Sequence, residues 1–130
     1  MRYYVDTNIL ARLYEGVGET KSLVNFLRQG VDEVLIPAVV VEEMVWLMSR
    51  FYKSSKKEII EFQRSVTTLG EIVYEYNMED ALNLFEKVKA KFNDCVIWSV
   101  MGGDGVVVSY DKEFDKLPGI KRVEPRDLIN

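Results

Sequence analysis

The sequence predicts an α/β fold, a three-layer α/β/α sandwich around a mainly parallel sheet of four or five strands. Short runs rich in β-branched and aromatic residues alternate with longer segments whose apolar residues recur at helical spacing. One short run, Val106-Val107-Val108, is apolar at every position, which is typical of a strand buried on both faces. Strands that alternate with helices form parallel sheets covered on both sides, and we therefore expect a single domain over residues 1–130.

Five strands are predicted from the runs of β-branched and aromatic residues. They cover residues 3–5, 34–36, 72–74, 106–108 and 120–123. Glycines precede two of these strands: Gly70 lies before the third strand, and a turn from Gly102 to Gly105 lies before the fourth. The strands are thus separated by turns and by segments with helical periodicity.

The first three helices follow from apolar residues at three- and four-residue spacing. The glycines that end the first two helices, or separate them, are Gly16, Gly18 and Gly30. Pro37 suits the first turn of the third helix, whose apolar face continues to Phe51. We expect Trp46, which lies in this helix, to pack in the core.

Three further helices are predicted in the second half of the chain. Ser55 and Glu58 form a capping box that starts the fourth helix. Asn77 caps the fifth helix, whose apolar residues keep helical spacing as far as the residue before Asn93. We expect Asn93 to cap a separate short helix that covers residues 94–101.

The composition excludes several chemistries. The chain has no histidine, and it therefore has no Ser-His-Asp triad, no Cys-His pair and no histidine-rich zinc site. A net charge of −4 and a pI near 5.0 argue against a basic sheath around nucleic acid. The single cysteine, Cys95, has no partner for an internal disulfide. Without a signal peptide or an apolar run of roughly 18 to 20 residues, we expect a cytoplasmic protein that does not associate with membranes.

In four places an acidic residue lies next to a run of apolar residues in the sequence. The four residues are Asp6, Glu43, Asp94 and Asp111. Asp6 follows the first predicted strand, Asp111 follows the fourth, and Asp94 opens the helix that leads into the fourth. Sites in open α/β sheets gather at the carboxyl ends of the strands, and Glu43, about two helical turns beyond the second strand, can reach the same edge. Because neighbouring carboxylates repel one another unless cations lie between them, the pattern predicts a metal site.

Each acid also has a purely structural interpretation. Residues 6–8 suit a helix cap, Asp94 suits the positive end of a helix, and Asp111 suits a turn. Of the two adjacent acids in the third helix, Glu43 is favoured as a site residue. It lies among apolar residues, where an unpaired carboxylate is costly, whereas Glu42 can face water. Capping and metal binding can coexist at one residue.

The order of these motifs resembles the PIN-domain ribonucleases, and in particular the VapC-type toxins of toxin-antitoxin pairs. The motifs are Asp6-Thr7-Asn8, Ile36-Pro37 with Glu43-Met44-Val45-Trp46, Asn93-Asp94 and Ser109-Tyr110-Asp111-Lys112-Glu113-Phe114. The resemblance covers nearly the whole chain. It implies a PIN-like domain that acts as an endoribonuclease and hydrolyses RNA phosphodiester bonds with Mg²⁺ or Mn²⁺.

The resemblance also implies roles for individual residues and for partners. The implied catalytic acids are Asp6, Glu43, Asp94 and Asp111, with Asp6 and Asp94 as direct metal ligands. The implied supporting residues are Thr7 or Asn8, and Ser109, which would form hydrogen bonds with the carboxylates. Asp115 falls where some family members have a further acid. By analogy we expect a homodimer or higher oligomer and a small antitoxin that can place an Arg into the acidic site.

Two other function classes remain as alternatives. One is a magnesium-dependent phosphatase or a phosphotransfer receiver on a similar sheet. A haloacid-dehalogenase-like phosphatase needs a second Asp where this chain has Asn8, and a receiver needs an early acidic pair that is not evident. The other is a non-catalytic PIN domain that binds RNA or protein. The complete set of four acids argues against a decayed site, and RNA binding without cleavage would distinguish this alternative.

Overall fold

The computed structural model describes residues 1–30 and 32–129. All five predicted strands are present in one sheet. They are β1 (Arg2–Val5), β2 (Glu33–Pro37), β3 (Glu71–Val73), β4 (Gly105–Val108) and β5 (Ile120–Val123). Their order is β3-β2-β1-β4-β5, and every neighbouring pair is parallel, which confirms the predicted parallel sheet.

Seven α-helices and one short 3₁₀ helix connect or follow the strands in the described residues. They are α1 (Thr7–Glu15), α2 (Gly18–Leu27), α3 (Ala38–Arg50), α4 (Lys56–Leu69), α5 (Met78–Lys87), α6 (Phe92–Val100), the 3₁₀ helix Lys112–Lys116, and α7 (Pro125–Leu128). The capping box of Ser55 and Glu58 is present at the start of α4, and the side chain of Asn77 caps α5. None of the helices in the described ranges is long and apolar enough to cross a membrane.

Helices cover both faces of the sheet. Three successive residues are buried in each of β1, β2 and β4, and successive residues of a strand point to opposite faces. Burial of all three valines of β4 is therefore possible only because apolar side chains pack against both faces. This arrangement confirms the predicted three-layer α/β/α sandwich.

The boundary between α5 and α6 differs from the prediction. Helix α5 ends at Lys87, the backbone of Val88 is extended, and Lys91 rather than Asn93 occupies the position before α6. The apolar residues from α5 to Phe92 have helical spacing in the sequence, but Phe85 lies in α5 and Phe92 lies in α6. Their rings pack edge to face between the two helices, with centroids 5.4 Å apart. Periodicity alone cannot distinguish this packing from one continuous helix.

The expected burial of Trp46 is wrong. Its side chain lies on the outer surface of α3 and is 60% exposed, whereas Met44 and Met48 of the same helix are buried. Phe51 lies just beyond the end of α3 and is also exposed. The core side of α3 is therefore narrower than its apolar sequence suggests, and part of its apolar surface is open to solvent.

The order of the strands places the central crevice beside β1. The chain moves from β1 to β2 on one side and later returns to β4 on the other, so β1 lies between β2 and β4. The direction of strand order thus reverses at β1, and a crevice opens at the carboxyl ends of β1 and β4. Asp6 follows β1 and Ser109 follows β4, which places both at this crevice.

Candidate active site

A cavity of about 430 Å³ opens at the carboxyl ends of β1 and β4. All four acids singled out in the sequence line it. The lining consists of Asp6, Thr7, Asn8, Glu43, Lys91, Phe92, Asn93, Asp94, Ile97 and Asp111. We call this space the acidic cavity.

Asp6 is held in place by three hydrogen-bond donors. The backbone amide of Thr7 donates to Oδ1 at 2.7 Å, so Asp6 caps α1. The hydroxyl of Ser109 donates to Oδ2 at 2.6 Å, and the side-chain amide of Asn8 donates to the same oxygen at 3.1 Å. The same carboxylate therefore caps a helix and lines the acidic cavity.

Burial of Asp6 opposes its ionisation. Its side chain is almost fully buried, and this desolvation raises the pKa of Asp6 to about 6 from 3.8. The hydrogen bonds from Ser109 and Thr7 act in the opposite direction, whereas the nearby charges of Glu43 and Asp111 raise the pKa further. A cation in the cavity would favour the ionised form of this group.

Asn8 and Ser109 join the loop after β4 to the start of α1. Asn8 donates to the Ser109 hydroxyl at 3.0 Å and accepts from the backbone amide of Tyr110 at 3.2 Å. The Ser109 hydroxyl also accepts from the backbone amide of Asp111 at 2.9 Å. Of the two candidates at positions 7 and 8, the side chain of Asn8 thus contacts the Asp6 carboxylate, whereas Thr7 contacts it through its backbone.

Asp94 has a buried carboxylate oxygen without a hydrogen-bond donor. Asp94 is the third residue of α6, and 5% of its surface is exposed. Its Oδ2 atom is buried and has no hydrogen-bond partner among the described residues. Burial, followed by the charges of Asp6 and Asp111, raises the pKa of Asp94 to about 7, while Lys91 lowers it. A buried carboxylate in this state needs either a proton or a cation.

Glu43 reaches the acidic cavity from α3 and is held there by Asn93. The side-chain amide of Asn93 donates to Oε2 of Glu43 at 2.9 Å. Glu43 is half-buried, whereas Glu42 is exposed and lies outside the acidic cavity. The hydrogen bond from Asn93 to Glu43 was not predicted, because an Asn next to a predicted helix start suggests only a helix cap.

Asp111 lies in the cavity and Asp115 does not. Asp111 caps the 3₁₀ helix, since its Oδ1 accepts from the backbone amide of Glu113 at 3.0 Å. Asp115 is half-exposed and forms an ion pair with Arg122 at 3.0 Å. Arg122 also donates to the backbone oxygen of Ser109 at 3.1 Å. Asp115 therefore contacts the residue that supports the Ser109 loop and lies outside the acidic cavity.

The donor set of the acidic cavity fits a hard divalent cation. Its oxygen donors are carboxylates, and one of them, Asp94 Oδ2, is buried without a donor. Within the described residues no three His, Cys, Asp or Glu side chains converge into a group that could hold a metal ion by themselves. Mg²⁺ keeps several waters and is usually bound through one or two carboxylates, so Asp6 and Asp94 suit it better than they suit a metal that needs a closed protein cage.

The chain belongs to the PIN domain family, because the model of that family matches residues 3–120. The resemblance found in the sequence motifs indicated the same family. A curated relative, the "VapC ribonuclease" of Aquifex aeolicus, is 26% identical over 129 residues, which cover 93% of this chain and 95% of the relative.

Two solved structures share the fold. One is the VapBC2 complex of Rickettsia felis bound to a DNA fragment from its promoter. The matched chain has a TM-score of 0.74 and 20% identity, and the match covers 95% of this chain and 98% of the other. The second is PAE2754 of Pyrobaculum aerophilum, with a TM-score of 0.69 and 13% identity over 98% of this chain and 92% of the other. The phosphatase alternative gains no support from these similarities.

Proposed function

We propose that this protein is a Mg²⁺- or Mn²⁺-dependent endoribonuclease and the toxin of a VapBC-type pair. The observation that carries the proposal is the buried, unpartnered Asp94 Oδ2 in a cavity with three other carboxylates. Such a group is costly in a structural role and is readily explained as a metal ligand. The similarity to a VapC ribonuclease over nearly the whole chain supports RNA as the substrate.

Asp6 and Asp94 are the proposed metal ligands. Asp6 is oriented by Ser109 and Asn8, and Asp94 lines the cavity and has a buried Oδ2 that no donor in the described residues satisfies. The metal, when bound, lowers the pKa of the attacking water and offsets charge on the phosphate. Without it, the clustered carboxylates repel an RNA phosphate, so we propose that the metal strengthens the binding of the phosphate at the acids, while contacts outside the cavity can still hold the strand.

Glu43 and Asp111 are proposed to orient the attacking water. Each has one carboxylate oxygen held by a protein donor, Oε2 of Glu43 by Asn93 and Oδ1 of Asp111 by the amide of Glu113. Their other oxygens accept no hydrogen bond from the described residues and can accept one from water. When water attacks phosphorus, the bond from phosphorus to one ribose oxygen breaks. A carboxylate with a free oxygen can accept the proton that the water loses, and the departing ribose oxygen takes up a proton from solvent.

The test is cleavage of a panel of single-stranded and structured RNAs. We expect cleavage with Mn²⁺, none with chelator, and a loss of at least about 100-fold in the Asp6→Asn variant. Asp104→Asn is the matched control, because Asp104 is exposed and lies outside the acidic cavity. RNA that is bound by the unmodified protein but never cleaved would instead support a non-catalytic PIN domain.

The proposed antitoxin and the proposed self-association are supported by exposed apolar side chains on several helices. One group of exposed apolar side chains lies on or near α3 and α4 and consists of Trp46, Phe51 and Ile60. A second group lies on or near α5 and consists of Tyr76, Met78, Leu82 and Phe85. Apolar surface of this kind marks interaction sites in folded proteins. We expect an oligomer in size-exclusion chromatography, and we expect a small protein encoded beside this chain to copurify with it and suppress cleavage.

A further inference from the structure

Three lysines at the end of α5 and in the connection to α6 have neither a catalytic nor a metal-binding role in the function proposed above. Lys87, Lys89 and Lys91 alternate with Val88 and Ala90. The lysines are exposed, whereas Val88 and Ala90 are half-buried and pack against the core. The chain bends over residues 88–90, and the backbone angles of Val88 and Lys91 are extended. Val88 and Ala90 therefore anchor the connection to the core, and the lysines face solvent.

Lys91 lies where this row of lysines meets the acidic cavity. Among the described residues that line the cavity, Lys91 is the only Lys or Arg. Lys91 also lines a shallow groove of about 420 Å³ together with Lys89, Ala90 and Glu113. The groove and the acidic cavity share Lys91, so an extended ligand can pass from one to the other without leaving the surface.

The ammonium groups of Lys89 and Lys91 are available to a ligand. Neither lies within 4.0 Å of a carboxylate oxygen in the described part of the chain, and Glu113 in the same groove pairs with Lys116 instead, at 3.2 Å.

The backbone of Lys91 is fixed at the start of α6. Its carbonyl oxygen accepts from the amides of Asp94 and Cys95 at 3.1 and 3.3 Å. The backbone of Lys91 therefore keeps a constant position relative to Asp94, while its side chain is exposed to solvent. This is the arrangement expected of a residue that positions a ligand against the acids.

We propose that Lys91 and Lys89 bind neighbouring phosphates of a single-stranded RNA beside the acidic cavity and so set which phosphodiester lies at the acids. The proposal rests on the ribonuclease function proposed above. Lys89 and Lys91 line the same groove, and a strand that lies in this groove can bring successive phosphates to the two ammonium groups. On a chain with a net charge of −4, local cations of this kind are needed to hold a polyanion.

The test is the salt dependence of RNA binding. A fluorescein-labelled single-stranded RNA of about 12 nucleotides is titrated in two conditions that prevent cleavage, the unmodified protein with chelator and the Asp6→Asn variant with Mn²⁺. Each is compared with its Lys89→Ala/Lys91→Ala version. The control is Lys56→Ala/Lys57→Ala, because these two lysines are also close in sequence and exposed but lie at the start of α4, outside the cavity and the groove.

We expect the Lys89→Ala/Lys91→Ala variant to bind RNA at least about 10-fold more weakly near 0.1 M salt. Its plot of log affinity against log salt should be shallower by about 1.4, because each phosphate contact on a single strand contributes about 0.7. The double Arg variant at the same two positions should keep the slope, since it keeps both charges. A merely structural role would change the melting temperature and leave the slope unchanged.

Two results would overturn the proposal, and they differ in what else they overturn. If RNA binds with a steep salt dependence and the Lys89→Ala/Lys91→Ala variant behaves like the control pair, the lysines do not contact the strand and the ribonuclease function stands. If RNA binds in neither condition at low salt, both this proposal and the proposed function fail.

Discussion

The side-chain amide of Asn93 donates a hydrogen bond of 2.9 Å to Oε2 of Glu43, which joins α6 to α3 at the acidic cavity. The residue after Asn93 is Asp94, whose Oδ2 is buried without a donor. One turn of α6 therefore supplies both an acid of the cavity and the contact that positions an acid from another helix. The geometry of the site depends on how closely α3 and α6 pack.

We expect Asn93→Ala to lower the rate of cleavage by roughly 10- to 100-fold, because loss of a residue that orients a site carboxylate typically costs that much. Asn93 is exposed, so the melting temperature should change little. The measurement is kcat and KM on an RNA that the unmodified protein cleaves. Glu42→Gln is the control, because Glu42 is exposed in α3 and lies outside the acidic cavity, and equal rates in the two variants would show that Asn93 has no positioning role.

We expect Ser109→Ala to destabilise the protein by about 1 to 3 kcal/mol. The substitution removes the donor at 2.6 Å from Asp6 and leaves the buried carboxylate with less support. It should also weaken stabilisation by Mn²⁺, which is measured by thermal unfolding with and without the ion. Ser99→Ala is the matched control, since Ser99 is buried and donates only to the backbone oxygen of Val96. It should retain the full effect of Mn²⁺.

The strands and caps were predictable from the sequence because they depend on local composition. The runs at residues 3–5 and 106–108 are β-branched or aromatic, and Asn77 lies directly before the helix that it caps. The position of Asp6 at the crevice was also predictable, because Asp6 directly follows β1 and sites in parallel sheets lie at the carboxyl ends of the strands. These features need no knowledge of which side chains meet across the fold.

Other features depend on tertiary packing and were not predictable. The apolar spacing up to Phe92 comes from two helices that pack together, which periodicity cannot distinguish from one helix. Trp46 is exposed because the core contacts only one side of α3, whose apolar residues extend beyond that side. Asp115 lies near Asp111 in sequence, but its carboxylate pairs with Arg122 of β5, a contact that no local pattern indicates.

We expect Asp115→Asn to retain cleavage and Mn²⁺ binding within about 2-fold of the unmodified protein. Asp115 lies outside the acidic cavity, and its ion pair with Arg122 is half-exposed, so its loss should cost at most about 1 kcal/mol. The measurement is cleavage in parallel with Asp111→Asn, which should lose activity. A loss of similar size in both variants would place Asp115 among the catalytic acids.

The metal-free protein should lose stability as the pH rises from about 4 to about 7. The pKa of Asp6 is raised to about 6 and that of Asp94 to about 7 from 3.8, so the folded state binds protons more tightly than the unfolded chain in this range. The stabilisation from these protons is complete below about pH 4 and is lost as the carboxyls ionise. The free energy of unfolding in urea with chelator measures the effect.

The control for this pH dependence is the Asp6→Asn/Asp94→Asn variant, which lacks both titrating groups. Its stability should fall less than that of the unmodified protein over the same pH range. The same pH dependence in both proteins would show that other groups cause the loss. Saturating Mn²⁺ should also reduce the fall in the unmodified protein, because the ion favours the ionised carboxylates.

Thermal unfolding of Asp94→Asn with Mn²⁺ and with chelator tests most directly whether the acidic cavity is a metal site. The account predicts that the substitution raises the melting temperature in chelator, because it removes a repelling carboxylate, and abolishes the stabilisation by Mn²⁺, which should reach about 2.7 kcal/mol in the unmodified protein at 100 times Kd. If Asp94 only stabilises the start of α6, Asp94→Asn will be slightly less stable and Mn²⁺ will affect neither protein. That result would contradict the metal site and the function proposed from it.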